Sequence, residues 1–359
     1  MNEKAYYESV NTKNELKLRE LQKELPPFCR EFFIGMKASV SSRTLLAYAY
    51  DLGIFFDFIH QNNPICAKKP VNEFTIDLLD QISPMDIEEY LDYLRVYEKD
   101  GVAHTNDERG ISRKLASLRS FYNYYFCKEM ITKNPAQLVR MPKKHEKTIT
   151  RLDVDEVAML LDEVESGEKL TERQQKFHEQ TKCRDLAIMT LLLGTGIRVS
   201  ECVGLDITDV DFRNNGIKVH RKGGAEVVVY FGDEVRTALL NYLEERNTIE
   251  AVEGSTNALF LSLQKKRIGV RAVENLVKKY AKMAVPSKKI TPHKLRSTYG
   301  TALYRETGDI RLVADVLGHE NVNTTIDYYA AIEDEHKRRA ANAVSVRKSA
   351  PEKNDIDNV

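Results

Sequence analysis

Apolar residues return every three or four positions through segment after segment of this chain, and that spacing constrains its fold more than any other feature. It demands helices that each bury one face. Behind a Ser41-Ser42 start, Leu45, Ala49, Leu52, Phe56 and Ile59 share a helical face, and Asn62, Asn63 and Pro64 end the run. Ser83-Pro84-Met85-Asp86 opens another helix, with a serine cap, a proline in the first turn and an acid at the third position. Ile87, Tyr90, Leu91 and Leu94 form its stripe. A third helix runs from about Asn106 to Lys128. Ile111, Leu115, Leu118, Phe121 and Tyr125 are its buried face, and Arg109, Arg113, Lys114 and Arg119 lie on the other. Asn134-Pro135 caps a short helix. The first part of the chain is therefore expected to be all-helical, with at least four helices.

The pattern changes further on. Asp153-Val154-Asp155-Glu156 has the form of a capping box. Residues 165–182 read as a polar, charged insertion between two helices. Asp185–Leu193 is almost continuously apolar, a helix buried on all sides, and it stops at Gly194-Thr195-Gly196. Ile217–His220 and Val227–Phe231, separated by a turn at Lys222-Gly223-Gly224, predict a β-hairpin. Asp233 is expected to cap a helix through Leu243, and Leu259-Phe260-Leu261 to form a short strand. Further helices are expected at about 271–284, 292–306, 309–317 and 324–340. The fold class is thus mainly α with a small β-sheet (α+β). At 359 residues the chain accommodates two domains. The expected division is a helical or mobile N-terminal extension over 1–25, a helical domain over 26–140, a basic extended linker over 141–150, a second domain over 151–346 and a polar, disordered tail over 347–359.

Composition excludes several functions. No apolar run approaches the roughly 20 residues that span a bilayer, and the N-terminus lacks the apolar stretch of a secretory signal. The expectation is a cytoplasmic protein with no membrane anchor. The five cysteines, at 29, 66, 127, 183 and 202, include no C-x-x-C pair, which argues against a disulfide framework or a zinc site. Basic and acidic residues balance at 54 each. A nucleic-acid-binding chain of this kind must sort its charge locally.

Four segments of the second domain could carry chemistry. In Gly196-Ile197-Arg198-Val199-Ser200-Glu201 an apolar helix ends and a new one begins at Arg198. A guanidinium and free backbone N–H groups can there point at one anion, with Glu201 one turn on to orient the arginine. Lys222 sits on the tight turn Arg221-Lys222-Gly223-Gly224. In Thr291-Pro292-His293-Lys294-Leu295-Arg296 the threonine suits a cap and the proline the first helical position, which leaves His293 and Arg296 on one face at a positive helix N-terminus. In Leu317-Gly318-His319 followed by Thr324-Thr325-Ile326-Asp327-Tyr328-Tyr329, the glycine ends one helix and Tyr328 lies about one turn into the next. Each segment alone also fits a structural role: an ion pair, a solvated turn, a buried charge, packed tyrosines. Together they supply two arginines, two histidines, a lysine and a tyrosine, with no acidic pair. That set suits metal-free attack on a phosphodiester, whose transition state needs several fixed cationic donors.

In this order the segments resemble the tyrosine recombinase (phage integrase) family. The match is to G-x-R-x-S-E at Gly196–Glu201, the hairpin lysine, H-x-L-R at His293–Arg296, and L-G-H with T-T-x-x-Y at Leu317–Tyr328. It extends to Thr44-Leu45, Tyr48, Asp51-Leu52, the run Ile111–Arg119 and Asn134-Pro135, which look like the family's core-binding domain. Within the family the chain looks most like the Xer recombinases, and the 165–182 insertion with the Arg221–Gly224 tip resembles the XerS branch, where one protein acts alone. The resemblance implies a SAM-like core-binding, DNA-binding domain and a catalytic domain that clamp duplex DNA. It implies that Arg198, Arg296 and His319 grip the scissile phosphate. His293 would be general base, Lys222 general acid and Tyr328 the nucleophile of a 3′-phosphotyrosyl bond. It implies no cofactor and no metal, and a homotetramer on two DNA sites; any accessory protein is not identified. Ser297 stands where many members have a second histidine. Ser42, Arg43, Arg113, Lys114 and Arg119 are the expected DNA-binding residues. Chromosome dimer resolution is the expected role, with integration or excision of a mobile element as the alternative. A type IB topoisomerase and a non-catalytic regulator are further readings.

Overall fold

A computed structural model describes residues 4–64, 66–99, 101–143, 150–221 and 224–318. The chain separates into two compact units, residues 2–147 and residues 148–359. The expected tail over 347–359 and the helix at about 324–340 lie outside the described residues, as does most of the 141–150 segment. Among the described residues no helix is long and apolar enough to cross a membrane.

The first unit contains α1 (Lys4–Leu21), α2 (Cys29–Met36), α3 (Ser42–Asn62), α4 (Leu78–Gln81), α5 (Pro84–Tyr93), β1 (Val96–Lys99), β2 (Val102–Thr105), α6 (Glu108–Cys127) and α7 (Pro135–Leu138). Ser41 caps α3, its hydroxyl accepting from the Thr44 N–H at 3.2 Å. Ser83 and Asp86 form a reciprocal capping box on α5, with Pro84 in the first turn. The stripes read from the sequence are the buried ones: Leu45, Ala49, Leu52, Phe56 and Ile59 on α3, and Ile111, Leu115, Leu118, Phe121 and Tyr125 on α6. The core is aromatic. Phe121 meets Phe32 edge-to-face at 5.2 Å and Phe56 at 6.0 Å, a geometry that sets ring edges against ring faces. Residues 4–21 form a helix that packs on α3 and places Leu18 in this core.

This unit is not all-helical. β1 and β2 pair antiparallel with Val96 opposite Thr105 and Lys99 opposite Val102. Their residues are largely exposed, so no buried face imposes an alternation for the eye to find. The legible signal is the Asp100-Gly101 dipeptide between the two runs, a favoured hairpin turn.

The second unit contains α8 (Val154–Ser166), α9 (Glu172–His178), α10 (Lys182–Thr195), α11 (Val199–Gly204), β3 (Val210–Asp211), β4 (Gly216–His220), β5 (Glu226–Tyr230), α12 (Asp233–Arg246), α13 (Val270–Ala284), α14 (Pro292–Thr307) and α15 (Ile310–Leu317). α10 is central: Ala187, Ile188, Met189, Leu191 and Leu192 are buried, and it packs on α8, α12 and α14. The sheet runs β3-β4-β5, all antiparallel. The hairpin was expected; β3, only two residues long, was not.

Three further expectations need correction. Residues 165–182 hold a helix, α9, started by a capping box in which Thr171 and Gln174 exchange bonds. It delivers His178 into the interior, where the ring lies 3.1 Å from the Tyr280 hydroxyl, which in turn donates to Asp185 at 3.0 Å. The insertion is therefore tied into the core by a buried polar chain rather than looped out. Gly232, not Asp233, occupies the cap of α12. Leu259–Leu261 makes only an isolated bridge, Leu261 to Arg267, and no strand.

Candidate functional site

The site grows from the end of α10. The helix stops because Gly196 turns left-handed, at φ 63°, and its N–H closes back on the Leu192 carbonyl. A Cβ there would run into the Tyr299 ring and Leu317, so glycine is required on both counts. The reversal sends the chain into α11 with Arg198 as its cap residue. Glu201, buried to 5% exposure, accepts from the Arg198 backbone N–H at 2.7 Å and from its Nη1 at 2.8 Å. One carboxylate therefore caps the helix and fixes the guanidinium, as the three-residue spacing suggested. It also takes up one of the backbone N–H groups that the sequence offered to an anion.

Arg296 comes from α14. Thr291 holds the cap position without a side-chain cap bond, and Pro292 holds the first turn. Arg296 is buried, at 7% exposure. Its Nη1 donates to the Gly196 carbonyl at 2.6 Å, and its Nη2 donates to the Leu317 carbonyl. Arg198 donates its Nη2 to the next carbonyl, Gly318, at 2.9 Å. The two arginines thus converge on adjacent carbonyls at the C-terminal end of α15. That end carries partial negative charge, which favours cations held there. His293 lies one turn ahead of Arg296 on α14 and is exposed. The Ser297 hydroxyl, in the place of the family's second histidine, donates to the His293 carbonyl at 3.0 Å.

Arg198, His293 and Arg296 are thus placed on one region of the second unit. Lys222, His319 and Tyr328 lie outside the described residues; Lys222 follows Arg221 directly and His319 follows Gly318 directly. The cysteines carry no chemistry of this kind. All five are free thiols, and burial pushes Cys202 up to about 12 and Cys29 well above its ordinary value.

Three cations of α6 make bonds within the first unit. Arg113 grips the buried Asp51 carboxylate through two bonds, 2.5 and 2.7 Å, and the Ser117 hydroxyl adds a third at 2.7 Å. Lys114, expected on the outer face of α6, is 7% exposed and donates to Asn106 at 3.1 Å. Burial lowers its pKa, partly offset by Asp51. Arg119 donates to the Ala136 and Val139 carbonyls at 3.0 and 2.5 Å and so fastens the end of α7. The Ser42 hydroxyl is engaged with Asn11 and Asn14 of α1. Of the five residues expected to meet DNA, Arg43 stands exposed at the start of α3, and Arg113 keeps about half of its side chain accessible, 52%. The pairing of Asp51 with Arg113 escaped the sequence reading, although both fall inside the segments that resemble the core-binding domain.

Comparison with known proteins gives the family. Residues 150–336 match the phage integrase family. A tyrosine recombinase XerC of Caldanaerobacter subterraneus subsp. tengcongensis is 35% identical over 329 residues, covering 88% of this chain and 86% of that protein. A XerC of Leptospira interrogans is 31% identical over 305 residues, covering 85% and 88%. The fold is similar to that of the XerH site-specific recombinase crystallised with its palindromic difH substrate after cleavage, with a TM-score of 0.63 at 17% identity, over 84% of this chain and 80% of that one. The chain belongs to the phage integrase family and is a tyrosine recombinase.

Proposed function

We propose that this enzyme cuts and rejoins duplex DNA at a specific site through a 3′-phosphotyrosyl link to Tyr328, and that it resolves chromosome dimers in the manner of the Xer recombinases. The observation that carries the reading is the convergence of Arg198 and Arg296 on neighbouring carbonyls immediately before His319. Side chains from two distant segments are held there by hydrogen bonds to other parts of the fold. Their orientation is built into the fold, so little ordering remains to be done when a phosphate arrives.

In the proposed reaction the Tyr328 oxygen attacks the scissile phosphorus and gives its proton to His293. The bond from phosphorus to the 5′ oxygen breaks, and Lys222 protonates that oxygen. Arg198, Arg296 and His319 bind the non-bridging oxygens, whose charge grows in the transition state. Rejoining is the reverse attack by a 5′ hydroxyl of the partner duplex. Exchange of this kind calls for four protomers on two sites. DNA binding rests chiefly on phosphate contacts, and Arg43 and the accessible part of Arg113 are proposed among them. The proposed substrate, chromosomal DNA, places the enzyme in the cytoplasm.

The test is covalent capture. The protein is mixed with fragmented host genomic DNA and denatured, and the DNA still attached is sequenced. One recurring site near the replication terminus is the expected result. A site at the end of an inserted element would replace dimer resolution with mobile-element transfer. Reversible binding with no covalent product would remove the catalytic reading. On the captured site, Arg43→Glu should lower the slope of log affinity against log salt by about 1, the loss of roughly one phosphate contact. An unchanged slope would take Arg43 out of the interface.

A further inference from the structure

The C-terminal end of α15 has a third arginine. Arg221 directly follows β4 and sends its guanidinium across to α15, where Nη1 donates to the Asp315 carbonyl at 3.1 Å and Nη2 to the Val316 carbonyl at 2.6 Å. With Arg296 on Leu317 and Arg198 on Gly318, four consecutive carbonyls are taken by three guanidiniums. Gly318 is part of this fit. It is left-handed, at φ 62°, and a Cβ on it would collide with the Arg221 guanidinium. The Arg221 backbone closes the hairpin loop at the same time: its N–H donates to the Ala225 carbonyl at 2.8 Å, and its carbonyl accepts from the Gly224 N–H at 3.1 Å.

The position of Arg221 in the chain gives the contact its meaning. Lys222 follows it directly, and His319 follows Gly318 directly. One side chain therefore fastens the root of the lysine loop to the helix end from which the two phosphate-binding arginines also hang. We propose that Arg221 is a positioning residue, which holds the chain immediately before Lys222 at the helix end shared by Arg198 and Arg296, so that the departing 5′ oxygen meets its proton donor. The inference rests on the reading of Lys222 as general acid. Without the anchor the chain keeps its lysine but loses the fixed point from which it departs.

The experiment uses a nicked duplex carrying the captured site, in two forms. One has the natural 5′ oxygen at the scissile bond. The other has a bridging sulfur there, whose thiolate departs without protonation because its conjugate acid is far stronger than an alcohol. Wild type, Arg221→Ala, Arg221→Lys and Lys222→Ala are compared for cleavage rate and DNA affinity. Arg221→Ala should cleave the oxygen substrate about 10²-fold more slowly, the low end of what general acid catalysis contributes. Its affinity should stay near wild type, and the sulfur substrate should restore its rate to within a few-fold, as it does for Lys222→Ala. Arg221→Lys, which keeps the charge but reaches one carbonyl instead of two, should fall between and remains informative if the alanine variant does not fold. If sulfur rescues Lys222→Ala but neither Arg221 variant, the positioning role is wrong and the lysine's role stands. If sulfur rescues none of them, the general-acid reading falls and this inference with it.

Discussion

Tyr328→Phe is expected to abolish covalent capture of DNA, a loss on the order of 10⁴-fold or more, while Tyr329→Phe retains it. The substitution removes one oxygen and leaves the ring, so packing is nearly untouched and the loss reads on chemistry. The two tyrosines are neighbours in a segment expected to be helical, where successive side chains point about 100° apart. Only one of them can face a phosphate held by Arg198 and Arg296. The resemblance to the family's T-T-x-x-Y pattern is the ground on which Tyr328 is proposed for that face. Tyr90, Tyr122 and Tyr280 are poor rivals. Burial drives the hydroxyls of Tyr90, Tyr122 and Tyr280 well above the ordinary phenol value, so these groups stay protonated and out of reach of DNA. The measurement is the fraction of labelled substrate that remains attached to protein after denaturation. The opposite pattern, with Tyr329→Phe dead and Tyr328→Phe active, would move the nucleophile by one residue.

What the sequence made legible follows from where information sits in a chain. Helices such as α3 and α6 bury one face of several turns, so their stripes repeat within a short window, and the cap of α3, Ser41, is adjacent to its stripe. The β4–β5 hairpin could be read because its strands are rich in β-branched residues and bury Ile217, Val219 and Val229. β1–β2 could not, since a hairpin exposed on both faces leaves no pattern beyond its turn. α9 is short and mostly polar, and its one deeply buried group, His178, is explained only by Tyr280 and Asp185 from other helices. The site divides in the same way. Arg198 and Glu201 lie three residues apart, and their bond was foreseeable. The partners of Arg296, Gly196 and Leu317, and those of Arg221 on α15, are backbone carbonyls. A carbonyl carries no side-chain signature, so no residue type in the sequence could announce that three arginines share one helix end. The bond between Asp51 and Arg113 joins two segments that were each recognisable but whose contact depends on how α3 and α6 pack.

A comparison of Arg296→Lys with Arg198→Lys should separate chemistry from packing. Both variants keep a positive charge and lose the planar fork that can serve two acceptors at once. Both are expected to lower the rate of strand cleavage about 10²- to 10³-fold, the usual cost of one fixed donor to a transition-state oxyanion. Their stabilities should differ. Arg296 is buried and serves Gly196 and Leu317, which lie on different elements; a single ammonium cannot reproduce both bonds. One buried carbonyl is then left without its donor, which costs roughly 1–3 kcal/mol. Arg198 has 37% of its side chain accessible, so water can replace its donor to the Gly318 carbonyl. Its stability loss should be small, within about 1 kcal/mol. Urea unfolding of each variant gives the stability, and single-turnover cleavage of a nicked site gives the chemistry. Equal losses of cleavage with unequal losses of stability would mean that both arginines act on the phosphate and only one also holds the fold together. If Arg296→Lys were less stable but cleaved at the wild-type rate, its guanidinium would serve the fold alone, and the phosphate would have to be gripped by Arg198 and groups beyond residue 318.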